Sequence, residues 1–337
     1  MTRLTPNSVV SVGNMRMPII GLGTWMSTPE EIDIALNAAI DAGYRHIDTA
    51  FAYFNEAAIG SSLKKIFESG KITREELFIT TKLPMPGNRY EDVEVFLKKS
   101  LEDLQLDYLD LYLVHFPAGM VNKDMSNIFP TDDDGKPMID RSTDLLELWK
   151  GMEAQVDEGR TKNIGISNFN KNQIQKILDN CRIRPANLQV ELHINLQQKE
   201  LVSFCKENGV TVVAYSPLGS SGYKTFLEKG GISTEGARVL HPMEDPVIKE
   251  IAKNHNKQPS HVLLRYLIEY GVAVIPKSTN PSRIKKNFDI FDFKLTEEEF
   301  EKISALDRGE GGRILGGRGM VGFFNLLEDH PEYPFPK

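Results

Sequence analysis

Leu77-Phe78-Ile79-Thr80-Thr81-Lys82 is followed by the longer segment Tyr90–Leu104 and then by Leu109-Asp110-Leu111-Tyr112-Leu113-Val114-His115. The outer two stretches are short, apolar and rich in β-forming residues, as strands covered on both faces must be. The middle segment carries Val93, Phe96, Leu97 and Leu104 at helical spacing. A strand, a helix and a second strand make a βαβ unit, which requires the two strands to be parallel.

The same rhythm runs outward in both directions. Candidate strands lie at Ile19–Gly23, His46–Thr49, Asn163–Ser167, Asn187–Glu191, Thr211–Tyr215 and Val272–Pro276, which with the first two makes eight. Helical patterns fall between them at Glu30–Ala42, Leu145–Glu158, Lys171–Asp179, Lys199–Glu207 and Pro259–Glu269. Thr28-Pro29-Glu30-Glu31 and Thr296-Glu297-Glu298-Glu299 are helix starts with capping-box chemistry. Eight repeats of strand and helix predict an α/β fold closed as a single (β/α)8 TIM barrel rather than an open sheet. Val9–Val12 and Met15–Met17 around Gly13-Asn14 predict a β-hairpin ahead of the barrel.

A chain of 337 residues could divide into two domains on length alone, but α/β barrels run this long as one. No linker or shift of composition interrupts it, so residues 1–337 read as one domain. Three insertions interrupt the rhythm: Pro117–Arg141, Ser216–Pro242 and the tail Arg308–Lys337. The net charge of −7 argues against a general nucleic-acid or anionic-membrane surface. No apolar run is long enough to span a membrane, and Met1–Met17 lacks the apolar core of a signal peptide. Cys181 and Cys205 lie in no CxxC pair, which predicts free thiols and a cytoplasmic protein.

Barrel enzymes build their sites where the strands end. Here the strand ends deliver Asp48, Lys82, His115, Ser167-Asn168, Gln189, Tyr215 and Lys277-Ser278, with Tyr53 five residues beyond Asp48. Singly, Asp48 could cap a helix, Tyr53 could be an ordinary surface residue, Lys82 a solvated turn and His115 a structural hydrogen-bonding group. Together on one rim they suit delivery of a proton to an oxygen that is becoming an alkoxide. A tyrosine titrates near 10, and the Lys82 ammonium is expected to lower that value. Asp48 is the partner that makes a buried Lys82 tolerable. His115 can orient a carbonyl oxygen. There is no nucleophile, and the seven histidines are scattered with no HxH pair, so no metal site is expected. Electrons must then come from a cofactor.

Gly21-Leu22-Gly23 begins a dinucleotide fingerprint that fails at Met26. Lys277-Ser278-Thr279-Asn280-Pro281-Ser282-Arg283 is a better phosphate site, because barrels commonly bind phosphate after their last strands at a helix start.

These blocks resemble the aldo-keto reductase superfamily, and its aldose-reductase-like group in particular. The resemblance rests on Gly43-Tyr44-Arg45-His46-Ile47-Asp48-Thr49-Ala50 with Tyr53, Thr81-Lys82-Leu83, Leu113-Val114-His115-Phe116-Pro117, Gly165-Ile166-Ser167-Asn168-Phe169 and Ile275-Pro276-Lys277-Ser278, in that order. It implies a catalytic tetrad of Asp48, Tyr53, Lys82 and His115, and NADPH as hydride source, with NADH a weaker substitute. It implies that Ser167, Asn168 and Gln189 hold the nicotinamide carboxamide and that Tyr215 stacks on its ring. Thr24 and Trp25 would lie beside the cofactor, and Ser216, Leu218 and Ser220 would line the pyrophosphate path. Lys277, Ser278, Thr279 and Arg283 would bind the 2′-phosphate end, with Asn280 and Asn287 near. Two positions depart from the group's pattern: Lys286 where Glu is usual, and Phe116 where Trp is common. The resemblance also implies a monomer.

The aromatic residues point to an apolar carbonyl substrate, an aldehyde or a steroid-type ketone, met by Trp25, Tyr53, Phe54, His115, Phe116, Phe323 and Phe324. Leu327, Met120 and Phe129 are further candidates, and Phe323 and Phe324 could instead pin the tail. The ending His330-Pro331-Glu332-Tyr333-Pro334-Phe335 is similar to tails of arthropod reductases of this superfamily, some of which act on ecdysteroid ketones. The competing readings are a non-catalytic NADPH-binding member of the fold and a metal-dependent barrel hydrolase.

Overall fold

A computed structural model of the chain describes residues 3–220, 222–229, 231, 233–235, 238–316 and 323–336. Strands β1 (Val9–Val12) and β2 (Met15–Pro18) form the antiparallel hairpin, turning at Gly13 with φ +53°. Met15 and Met17 enter the core while Arg16 between them faces out. The Ile19 N–H donates to the Ser8 carbonyl at 3.0 Å, tying the hairpin to the start of the first barrel strand.

Strands β3 (Leu22–Gly23), β4 (His46–Asp48), β5 (Phe78–Leu83), β6 (Leu111–Val114), β7 (Ile164–Ser167), β8 (Asn187–Glu191), β9 (Thr211–Tyr215) and β10 (Ala273–Val274) pair in parallel in chain order. The barrel closes where Ile20 bridges Val274 and Gly23 bridges Lys277, with Gly21 N–H to Val274 O at 2.8 Å and Val274 N–H to Ile19 O at 2.9 Å. The strands are short and buried because both faces are covered, inward by the barrel filling and outward by helices.

The Tyr90–Leu104 and Lys199–Glu207 helices form where the periodicity predicts, and the other expected helices agree to within a residue. Thr28 caps the Pro29–Ala42 helix with the full capping box, and Gly43 ends it at φ +104°. Among the described residues three helices escape the periodicity reading, Glu56–Glu68, Tyr223–Lys229 and Pro246–Asn254. The first carries Gly60-Ser61-Ser62 in its middle, which lowers helix propensity. Gly60 is there for packing: a Cβ at this position would lie 2.3 Å from the Asp103 carbonyl of the neighbouring helix. Tertiary contact overrides local preference at that site.

The insertions gather at the rim where the strands end. Met85, Phe116, Ala118, Met120, Leu327, Tyr333 and Phe335 form one satellite core. Tyr223, Leu227, Leu240, Ile314 and Leu315 form another, joining the insertion after β9 to the root of the tail. Cys181 and Cys205 are free thiols. Among the described residues, no helix is long and apolar enough to cross a membrane.

Candidate active site

Asp48 ends β4 opposite Thr80 of the parallel strand β5, and Lys82, two residues further along β5 and so on the same face as Thr80, reaches it. The Lys82 ammonium donates to Asp48 Oδ1 at 2.6 Å and to the Thr49 carbonyl at 2.7 Å. Lys82 is 0% exposed and Asp48 1%. The second Asp48 oxygen accepts from Gln189 Nε2 at 2.7 Å, across the barrel from β8. Burial pulls the Lys82 amine below its ordinary range, and Asp48 opposes that pull.

Tyr53 ends a 3-10 turn, Phe51–Tyr53, directly after β4. Its ring centroid is 5.1 Å from Lys82 Nζ and 5.8 Å from the His115 ring, which meets it edge-on. Here the structure corrects the sequence reading of the acid. Burial, aided by the Asp48 carboxylate, holds the Tyr53 phenol well above 10. Desolvation is the larger cause, and the nearest anion to the Lys82 ammonium is Asp48 at 2.6 Å rather than the phenol. The phenol is therefore a retained proton rather than a readily ionised one. Burial, with the Lys82 charge adding to it, pulls His115 down to about 3, so above that pH its imidazole is neutral and offers one N–H.

Asn168 follows β7 in the left-handed region at φ +64°. Its Oδ1 accepts from the Tyr215 hydroxyl at 2.7 Å, and its Nδ2 donates to the His115 carbonyl at 3.0 Å and to Ser167 Oγ at 3.1 Å. The ends of β6, β7 and β9 are thus locked to each other. Thr24 closes the ring from β3, its hydroxyl donating to the Asp48 carbonyl at 3.0 Å.

Above this floor lies a cavity of about 870 Å³ that runs from Tyr53 and His115 to the loop after β10. The family model for the aldo/keto reductase family matches residues 19–308, the whole barrel.

The chain belongs to the aldo/keto reductase family.

It is 41% identical to "Aldo-keto reductase family 1 member A1" of Mus musculus, over 98% of this chain and 99% of that one. It is 44% identical to the protein of the same name from Cricetulus griseus, over 95% of each. The solved structure of the aldose reductase from Schistosoma japonicum superposes with a TM-score of 0.84 at 39% identity, covering 98% and 99% of the two chains. An aldo/keto reductase is an oxidoreductase that acts on small-molecule carbonyls.

The cavity of this aldo/keto reductase gathers most of the residues singled out in the sequence. Trp25, Phe54, Phe116 and Phe324 line its walls, Ser216, Leu218 and Ser220 its middle, and Lys277, Ser278, Thr279, Arg283 and Asn287 its far end. Lys82 lies behind the floor and does not line it. Asn280 does not line it either: its side-chain oxygen caps the Pro281–Phe288 helix by accepting from Arg283 N–H at 3.0 Å. Met120 and Leu327 are in the satellite core that grips the tail, not in the cavity wall. Phe324 does both jobs, lining the cavity and stacking on Phe116 with centroids 4.5 Å apart and planes at 7°. The Phe323 side chain lies outside the described residues.

Sequence reasoning missed Tyr223 and Phe226, which pack on Trp25 from the Tyr223–Lys229 helix of the second insertion. It also missed Met85 and Ile128. Their signal was weak, because apolar residues in long insertions carry no period. Among the described residues, no group of His, Cys, Asp and Glu could hold a metal ion.

Proposed function

We propose that the protein reduces aldehydes and ketones to alcohols with NADPH, with Tyr53 as the acid that completes the alcohol. The observation that carries this reading is the buried Lys82–Asp48 pair behind the Tyr53 ring, opening on a cavity that also holds His115. A purely structural ion pair would not need a half-buried tyrosine and a neutral histidine converging beside it.

The donor set of the cavity fits a phosphorylated dinucleotide. Lys277, Arg283 and Lys286 collect positive charge after β10, and the Arg283 Nε lies 3.4 Å from Ser278 Oγ. Three cations in a chain of net charge −7 suit a phosphomonoester better than a bare ribose. Gln189 spends its amide nitrogen on Asp48 and keeps its oxygen for a ligand amide. Tyr215 offers a ring face, its hydroxyl already committed to Asn168. When bound, the reduced nicotinamide supplies the hydride that the carbonyl carbon accepts.

The chain's own residues handle the proton and the geometry. His115 donates its N–H to the carbonyl oxygen and fixes its direction. Tyr53 passes its phenolic proton to the same oxygen as the C–O bond becomes an alkoxide. Lys82 stabilises the phenolate left behind, and Asp48 keeps that ammonium charged and aimed. Trp25, Phe54, Phe116 and Phe324 exclude water and favour an apolar carbonyl, an aldehyde or a steroid-type ketone. We further propose that residues 1–337 act as one unit, monomeric and in the cytoplasm.

The test is loss of reduced-nicotinamide absorbance with purified protein, NADPH or NADH, and a panel of aldehydes, sugars and steroid ketones. Turnover with NADPH, abolished by Tyr53→Phe while NADPH still binds, is the expected outcome. Near-normal turnover of Tyr53→Phe would remove the acid assignment.

A further inference from the structure

We propose that Glu191, the last residue of β8, is a positioning residue for substrate selection, acting by fixing where the C-terminal tail leaves the barrel; this rests on the reductase reading above. Glu191 lies outside the Asp48, Tyr53, Lys82 and His115 group, and its carboxylate is fully buried. Its two oxygens accept the backbone N–H groups of Ile314 and Leu315, each at 2.7 Å. His193, also fully buried, donates from Nε2 to Glu191 Oε1 at 3.0 Å, while its Nδ1 accepts the Asn195 N–H at 3.3 Å. One buried carboxylate thus clamps two consecutive amides of a segment over 120 residues away in sequence, and a histidine holds the clamp in place.

The clamped segment is the root of the tail. Leu315 lines the cavity directly, and Ile314 packs with Tyr223 and Leu227 in the cluster that includes Trp25. The far end of the tail is held separately. Phe116 is packed by Phe324, Tyr333 and Phe335. His330 Nε2 donates to the Asp140 carbonyl at 2.8 Å, and Gln173 Nε2 to the Glu332 carbonyl at 2.9 Å. The tail is therefore a strap with two anchors, and cavity-lining side chains sit at each, Leu315 at the root and Phe324 at the far end. At the root, moving the strap takes the Leu315 amide from Glu191 Oε2 and pulls Ile314 and Leu315 out of the Tyr223 cluster, so the buried carboxylate and that packing hold the root together. Glu191 fixes the root of the strap, and through Leu315 the position of that part of the substrate wall.

The experiment compares wild type with Glu191→Gln, which keeps volume and one acceptor but turns an NH2 toward one of the two amides. Kinetics are measured with NADPH and two carbonyls, propanal, too short to reach the strap, and a bulky steroid ketone. The expected result is a KM for the steroid ketone raised about tenfold or more, with kcat for propanal and the dissociation constant for NADPH within about twofold of wild type. Hydrogen exchange supplies a readout independent of turnover. In wild type the Ile314 and Leu315 amides should be the slowest between residues 309 and 316. In Glu191→Gln they should quicken while the barrel strands do not.

Equal loss with both carbonyls, or no loss with either, would overturn the proposal. So would fast exchange of the two amides in wild type, an outcome available even if the variant does not fold. If wild type turned over no carbonyl but the amides showed this protection, the reductase reading would fall while the clamp stood.

Discussion

Replacing Lys82 by Met tests whether the floor of the cavity is built as an ion pair. The substitution keeps most of the side-chain volume and deletes one charge. It removes the 2.6 Å bond to Asp48 and the 2.7 Å bond to the Thr49 carbonyl. Asp48, 1% exposed, is left as a buried carboxylate with Gln189 Nε2 at 2.7 Å as its side-chain donor. Breaking one side of a buried pair costs about 3–5 kcal/mol, because the remaining charge is uncompensated. An exposed pair would cost no more than about 1 kcal/mol. On a total stability of about 5–15 kcal/mol that difference is decisive. The second arm is Asp48→Asn combined with Lys82→Met. It removes both charges, so it should be more stable than Lys82→Met alone although it carries one more substitution. Urea unfolding followed by circular dichroism, without nucleotide so that binding does not contribute, measures all three proteins. A loss under about 1 kcal/mol in Lys82→Met, or a double variant less stable than the single, would refute the argument from burial.

Glu56 offers a pH test. Its carboxyl accepts from Thr81 Oγ1 at 2.5 Å and Ser100 Oγ at 2.9 Å, and burial raises it from 4.5 to about 7. Between those values the folded protein holds a proton the unfolded chain has lost, so stability falls as pH rises from about 4.5 to 7. Glu56→Gln should flatten that fall and exceed wild type at pH 8 by about 3 kcal/mol; parallel pH curves for the two proteins would contradict it. Lys277→Met should raise the KM for NADPH about tenfold or more and spare NADH, and an equal effect on both nucleotides would detach Lys277 from the 2′-phosphate. Phe116→Ala should cost about 3–5 kcal/mol and speed proteolysis within residues 323–336, because Phe116 carries the stack on Phe324 and the contacts to Tyr333 and Phe335. Unchanged digestion would mean that the tail is held elsewhere.

The barrel was legible in the sequence because a parallel strand and its covering helix each impose a local period, visible from Leu77 to His115 without knowledge of the rest. The chemistry of the rim was legible for a related reason. Strand ends are local features, so Asp48, Lys82, His115 and Gln189 could be placed on one edge by counting strands, and the ordered blocks around them carried the family resemblance. Three matters were decided only by the tertiary structure. The upward shift of the Tyr53 phenol comes from burial beside the Asp48 carboxylate, and both are set by how the loop after β4 packs in the closed barrel. The split of Leu327 and Met120 from the cavity wall depends on how an aperiodic tail folds back over an aperiodic insertion. The clamp of Glu191 on Ile314 and Leu315 uses backbone amides, which every residue but proline possesses and no sequence pattern marks. Local periodicity determines what the chain builds. Contacts between segments far apart in sequence decide how its charges and loops are set, because those interactions depend on distances that only the closed barrel defines.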